Sequence, residues 1–238
     1  YPFKRKNRVG KERWYEKISL SYNGSLRNSI TTKENLILKS NLLKDWRNGM
    51  QHSIPISASF DLFNYIKISP SINYTAYWYT SRLEKQWDDA TQQIVNADTT
   101  YGFYHLNNFS ASLSMSTTLY GFYKPWQKLF GDRVQMIRHR LAPSISLSYA
   151  PDFGDPFWGY YRELDYVDTL GQAHSFVYTP YEQGIFGYPG RGKTGSINFS
   201  FDNNVEMKWR LPSDSTGVED QFKKISLIDQ FGLRFSYN

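Results

Sequence analysis

Cysteine is absent from the 238 residues, which excludes both a disulfide framework and a thiolate metal site. Long hydrophobic runs are also missing. No window approaches the ~18 consecutive apolar residues of a membrane-spanning helix. Mean hydropathy is −0.59, a value that suits a soluble protein but is equally open to a β-barrel, whose strands turn every second residue to a polar lumen. The chain starts Tyr1-Pro2-Phe3, without an initiator Met or a signal peptide, and we read its N-terminus as missing or processed away. Charged residues are 21%, too few for a disordered polyelectrolyte. The net charge is +6, with Lys4, Arg5, Lys6, Arg8, Lys11 and Arg13 crowded together. No nucleic-acid motif follows them, so residues 1–12 read as a basic leader and no nucleic-acid partner is expected.

Signatures of catalysis and metal binding are equally sparse. Serines are many and histidines are four, His52, His105, His139 and His174, but no serine stands in a G-x-S-x-G elbow. Asp88, Asp89 and Asp98 lack the spacing of an EF-hand. Gly190-Arg191-Gly192-Lys193 lacks the strand–G-x-x-x-x-G-K–helix context of a phosphate cradle. The expectation is a non-enzyme with no catalytic residue, no metal and no cofactor.

Aromatic residues, by contrast, make up 18% of the chain, with 19 Tyr, 16 Phe and 7 Trp. Tyr and Trp concentrate where one end of a side chain is dry and the other wet, as at a membrane interface. The dominant pattern is alternation with a period of two. Phe109, Ala111, Leu113, Met115 and Leu119 fall on one face of a strand, and Ser110, Ser112, Ser114, Ser116 and Thr118 on the other. We expect the odd set to meet lipid and the even set a lumen. Similar runs occur at residues 18–22, 53–62, 66–78, 141–149, 196–210 and 231–237. They persist over the ~9–11 residues of a tilted membrane strand, beyond the usual ~5–6 of a globular one. A large soluble sheet with one solvated face is the competing reading.

Short links near residues 63–65, 125–131 and 212–220 alternate with long ones at about 85–100 and 151–193. Traced up and down, both long links fall on one side, as in outer-membrane barrels with short periplasmic turns and long extracellular loops. Matching apolar faces across residues 63–65 requires Leu62 opposite Ile66, Pro55 opposite Asn73 and Pro70 opposite Ala58. Aromatic clusters at 77–79, 101–104 and 120–126 suit interfacial girdles. About seven strands emerge, with residues 31–46 unassigned. The fold expected is all-β, an antiparallel transmembrane β-barrel segment forming a single stretch over 1–238, part of a larger barrel because seven strands close poorly. Residues 151–193 form its long extracellular loop.

Residues 134–153 read VQMIRHRLAPSISLSYAPDF. Ile137, Arg138, His139, Pro143, Ser144, Ser146, Ser148, Tyr149, Pro151, Asp152 and Phe153 match an I-R-H-x-x-x-P-S-x-S-x-S-Y-x-P-D-F pattern. This resembles a divergent branch of the LptD family, the outer-membrane lipopolysaccharide-assembly barrels. Looser likeness covers residues 47–55, 62–74 and 231–238. The resemblance implies a bacterial outer-membrane barrel that passes lipopolysaccharide or a related glycolipid to the outer leaflet. It also implies a lipoprotein plug similar to LptE, surrounding outer-membrane lipids, and a lateral opening between first and last strands. Classical members carry a preceding jelly-roll domain, which nothing here matches, and maturation disulfides, which a cysteine-free stretch cannot make.

Five residues are singled out for function. Arg138 and His139 are candidate contacts for cargo phosphate or for the plug, and barrel-rim electrostatics is the plainer reading of both. Pro55, Pro70 and Pro143 lie inside strands, each removing one N–H from the ladder. They are candidates for weakened pairing at a seam, or for simple bulges. A nutrient-uptake receptor or porin-type barrel is the alternative function, and a structural or adhesin barrel a third.

Overall fold

The computed structural model describes residues 3–5, 10–126, 128, 131–211 and 222–238. Its strands are β1 (Ile18–Leu20), β2 (Asn23–Ser29), β3 (Arg47–Ala58), β4 (Phe60–Leu62), β5 (Ile66–Asp88), β6 (Gln93–Thr117), β7 (Leu119–Tyr123), β8 (Val134–Ala150), β9 (Arg162–Val167), β10 (Ala173–Tyr178), β11 (Thr194–Arg210) and β12 (Phe222–Tyr237). Ten form one sheet in the order β1-β3-β5-β6-β8-β11-β12, with β2 beside β3, β4 beside β5 and β7 beside β8. β2, β4 and β7 each continue the preceding strand after a break of one or two residues. The sheet therefore contains seven spans, as the alternation predicts. Among the described residues β12 does not return to β1, so the sheet is all-β, antiparallel and unclosed, in keeping with a barrel segment.

Contacts divide the chain into two compact units, residues 1–57, 71–111 and 149–194, and residues 58–70, 112–148 and 195–238. Within the second unit, Leu62 faces Ile66 across the loop 63–65. Within the first, Pro55 faces Asn73. The residue numbers of every pair from Gly49–Tyr79 to Leu62–Ile66 add to the same total. The register is thus the one that matching faces demand, with no bulge between the paired residues. Phe63 and Asn64 both have left-handed backbones, φ 51° and 63°, and the Tyr65 amide closes the turn on the Leu62 carbonyl at 3.1 Å. Asn accepts that conformation readily, whereas Phe is held in it by the register of the flanking strands.

In the first unit, the two faces of the sheet are finished differently. Tyr79 shares its face of β5 with Ser71, Asn73 and Thr75, and around Tyr79 that face is covered by residues from the 151–193 segment. Phe153, Tyr160 and Tyr181 from this segment form a buried cluster with Tyr79 and Leu106. Gly49 makes the cover possible, since a Cβ there would lie 2.7 Å from Ile185. On the other face, the rings of Tyr22, His52, Trp78, Phe103 and His105 run across neighbouring strands with centroid separations of 4.1–6.5 Å.

Two sequence readings change, and one open stretch is filled. Residues 85–100 are mostly strand, with β5 and β6 running 23 and 25 residues and only 89–92 turning between them, where the Gln92 amide meets the Asp88 carbonyl. A ladder requires backbone pairing alone, so it outlasts the apolar alternation once neither face needs an apolar surface. Residues 31–46, which the alternation leaves unassigned, hold a 3-10 helix at Glu34–Lys39. Phe109, expected on the lipid face, packs on Phe153 and Trp158 at 5.6 and 6.0 Å. Leu106 and Phe109 both meet the buried cluster although three residues apart, which strict alternation does not permit. The Asn107 amide between them is taken by the Tyr160 hydroxyl at 2.7 Å. The link at 212–220 lies outside the described residues.

Candidate functional site

In the second unit, three contacts fix how β8 and β11 face one another. Ser148 bonds Ser196 and Ser144 bonds Ser200, each at 2.7 Å between hydroxyls. Arg138 donates to the Glu206 carboxylate at 2.7 Å. The residue numbers of each pair add to the same total, so all three lie on one face of one ladder. The opposite face carries Pro143, Ile145, Phe199 and Phe201 beside Ile66 and Met115. It continues onto β12 through Phe199–Phe235 and Phe201–Leu233. Phe199, Phe201, Leu233 and Phe235 are all between 37% and 57% exposed, so among the described residues nothing covers this apolar face. One sheet thus presents a hydroxyl-lined face and a bare apolar face.

Arg138 and His139 are neighbours in β8 and therefore leave the sheet on opposite sides. Arg138 is on the hydroxyl face with Glu206. His139 is on the apolar side, its Nε2 3.1 Å from the Asn203 side-chain oxygen. The Asn203 side-chain nitrogen donates to the Phe231 carbonyl, which leaves that oxygen to accept from the imidazole. The structure brings each of these residues to its own partner and does not join them in one site. Glu206 and Asn203 are partners that the sequence pattern alone does not single out.

Each of the three strand prolines lies beside an interruption in a neighbouring strand. In the register of β2 and β3, Pro55 stands opposite Ser21, at the break between β1 and β2. The Ser21 amide reaches the Pro55 carbonyl at 3.3 Å, but Pro55 has no N–H to return. The β3–β5 register puts Pro70 opposite Ala58, next to the break at Ser59 that separates β3 from β4. The β7–β8 register, extended by two residues, puts Pro143 opposite Thr117, next to the break at Thr118. A proline has no N–H to give a neighbouring strand.

A family model described as LptD protein matches residues 1–238. The chain belongs to the LptD family. No curated protein and no solved structure matches it.

The LptD-type motif of residues 134–153 ends at Asp152-Phe153, and both residues are structural anchors of the loop that follows. Phe153 is 2% exposed in the cluster under that loop. Asp152 receives the amides of Gly192 and Gly154, each at 2.7 Å, and so ties the end of the loop to its start. These two amides hold its carboxyl below the usual carboxylate range. Gly192 has φ +91°, a conformation that glycine alone adopts cheaply, so its place in Gly190-Arg191-Gly192-Lys193 is explained by the loop neck. Further along, Glu84 of β5 accepts from Arg162, and Lys85 pairs with Glu182 at 2.8 Å. The loop is thereby latched to the strand beneath it. Among the described residues, no three His, Asp or Glu side chains converge on a metal-sized space.

Proposed function

We propose that this chain is barrel wall in an outer-membrane machine that inserts lipopolysaccharide or lipooligosaccharide into the outer leaflet. Membership of the LptD family, with a match along the full chain, carries the reading. The two-faced sheet supports it. The apolar face of Phe199, Phe201, Leu233 and Phe235 suits acyl chains, and the hydroxyl face of Ser144, Ser148, Ser196 and Ser200 suits the sugars and phosphates of the cargo. The work is transport, with no covalent step.

In this reading the bacterial outer membrane is the site of action, residues 151–193 lie outside the cell, and an LptE-like lipoprotein occupies the lumen. Arg138 is the candidate for contact with cargo phosphate or with that plug. Pro55, Pro70 and Pro143 weaken pairing where the wall must yield. Pro55 has the strongest claim, because its missing donor loosens the outermost strand of the described sheet. Depleting the protein in its native cells and labelling surface glycolipid tests the whole proposal. Loss of newly inserted glycolipid, with other outer-membrane barrels still assembled, is the expected result, and undiminished surface glycolipid refutes it.

A further inference from the structure

The hydroxyl face of the second unit changes character along its length. Around Ser148–Ser196 and Ser144–Ser200 it offers small hydroxyls, with the single cation Arg234 opposite Ser200 among the described residues. Beyond Arg138–Glu206 it turns cationic and aromatic. Lys208 stands directly opposite Lys224, and Arg210 opposite Phe222. Like charges facing one another across an antiparallel pair oppose the sheet. A local conflict of this kind points to a need other than folding.

The surroundings indicate what would resolve it. The Lys208 ammonium lies 3.9 Å from the centre of the Phe222 ring. A recess of about 250 Å3 is lined by Phe122, Met136, Arg138, Lys208, Phe222 and Lys224, with Glu206 as its one carboxylate. An adjoining cavity of about 840 Å3 shares Met136 and adds Lys124, Trp126 and Arg210. Arg138 spends one nitrogen on Glu206, while its Nε has no partner among the described residues. Among the described residues, several cations stand here against one acid, interleaved with apolar rings and thioethers. The complement of such a surface is an anion carried on an apolar body.

We infer that this end of the hydroxyl face binds the phosphate of a phosphorylated glycolipid. Lys208 and Lys224 hold the phosphate between them and so relieve their mutual repulsion. Arg138 adds a donor through its remaining nitrogens. Phe122, Phe222 and Met136 take the neighbouring apolar portion. The serine hydroxyls further along the same face receive the sugars, which is what favours a glycolipid over a phospholipid. The inference rests on the transport reading above and adds to it the place where the cargo's phosphate is held.

The test uses the protein in its native membrane, with a benzophenone photo-crosslinker at Phe222, at Ser146 on the hydroxyl face, or at Phe199 on the apolar face. Adducts are identified by mass spectrometry as phosphorylated glycolipid or phospholipid. Glycolipid adducts at Phe222 are expected, falling about tenfold in Lys208→Gln/Lys224→Gln and retained in Lys208→Arg/Lys224→Arg, which also checks that the wall folds. Phospholipid as the main adduct at Phe222, or a glycolipid yield unmoved by the glutamine pair, overturns the site. Glycolipid at Ser146 but not at Phe222 overturns the site and spares the transport reading. Glycolipid at neither position defeats both.

Discussion

Phe199 and Ser200 follow one another in β11, and their side chains leave the sheet in opposite directions. Phe199 is 41% exposed on a face that no described residue covers, whereas Ser200 shares a hydrogen bond with Ser144. If the apolar face meets lipid, Phe199→Arg costs about 2–4 kcal/mol of folding stability near the bilayer centre. Ser200→Arg costs about 1 kcal/mol, the value of the hydroxyl pair. Denaturant titration of the protein folded into vesicles distinguishes the two, and equal losses would contradict the assignment of faces. Asp152 gives a second test at this scale. Its carboxyl is held below the ordinary range by the Gly192 and Gly154 amides, so the folded loop prefers the ionised form. The stabilisation is complete above the unfolded value, ordinarily near 3.8, and is lost as pH falls through the lower folded value. Protease cleavage within 151–193 should stay slow at neutral pH and rise only in strong acid. Asp152→Ala should raise cleavage at neutral pH and shrink that acid-dependent step, leaving the part set by Asp168 and by the Glu84 and Glu182 ion pairs.

At the scale of strands, each of the three breaks among the described strands, at residues 21–22, 59 and 118, lies beside a proline on the neighbouring strand. Pro55 leaves the pair with Ser21 one bond short, and the outer strand divides into β1 and β2 at that point. Pro55→Ala restores a donor worth about 1 kcal/mol. Amide exchange in residues 18–22 should slow by roughly fivefold as a result. If loose pairing here serves export, the same variant lowers the rate of surface glycolipid insertion. Slower exchange with unchanged export would assign Pro55 to strand geometry alone. The length of β5 and β6 belongs to the same scale. Their outer halves are held by pairing and by the loop latched to Glu84 and Lys85, so a wall strand extends well beyond the stretch whose alternation marks it.

For the whole molecule, the decisive question is orientation. Residues 30–46, 89–92 and 151–193 follow alternate spans and so emerge at one end of the strands. The longest of them is ordered by a buried cluster of Tyr79, Leu106, Phe153, Tyr160 and Tyr181. If these links are extracellular, a maleimide probe should label Leu170→Cys in intact cells, since Leu170 is 80% exposed at the tip of the β9–β10 hairpin and the chain has no cysteine of its own. Labelling only after the outer membrane is permeabilised would invert the topology.

Much of this was legible in the residues themselves. A strand turns alternate side chains to opposite faces, so Ser144, Ser146 and Ser148 against Pro143, Ile145 and Leu147 already define a two-faced wall. A one-residue slip would mismatch every pair, so Leu62 and Ile66 already define the register of their hairpin. The I-R-H to P-D-F motif pointed to the family. The sequence could not separate Arg138 from His139 by partner, because Glu206 and Asn203 lie more than sixty residues away and only the β8–β11 register brings them close. Nor could it show that residues 85–100 continue as strand, since backbone pairing leaves no side-chain period where both faces are wet or covered. The placement of Phe109 was decided in the same way. Periodicity records which face of an isolated strand is apolar, whereas packing under a loop from distant sequence determines where that face finds its cover.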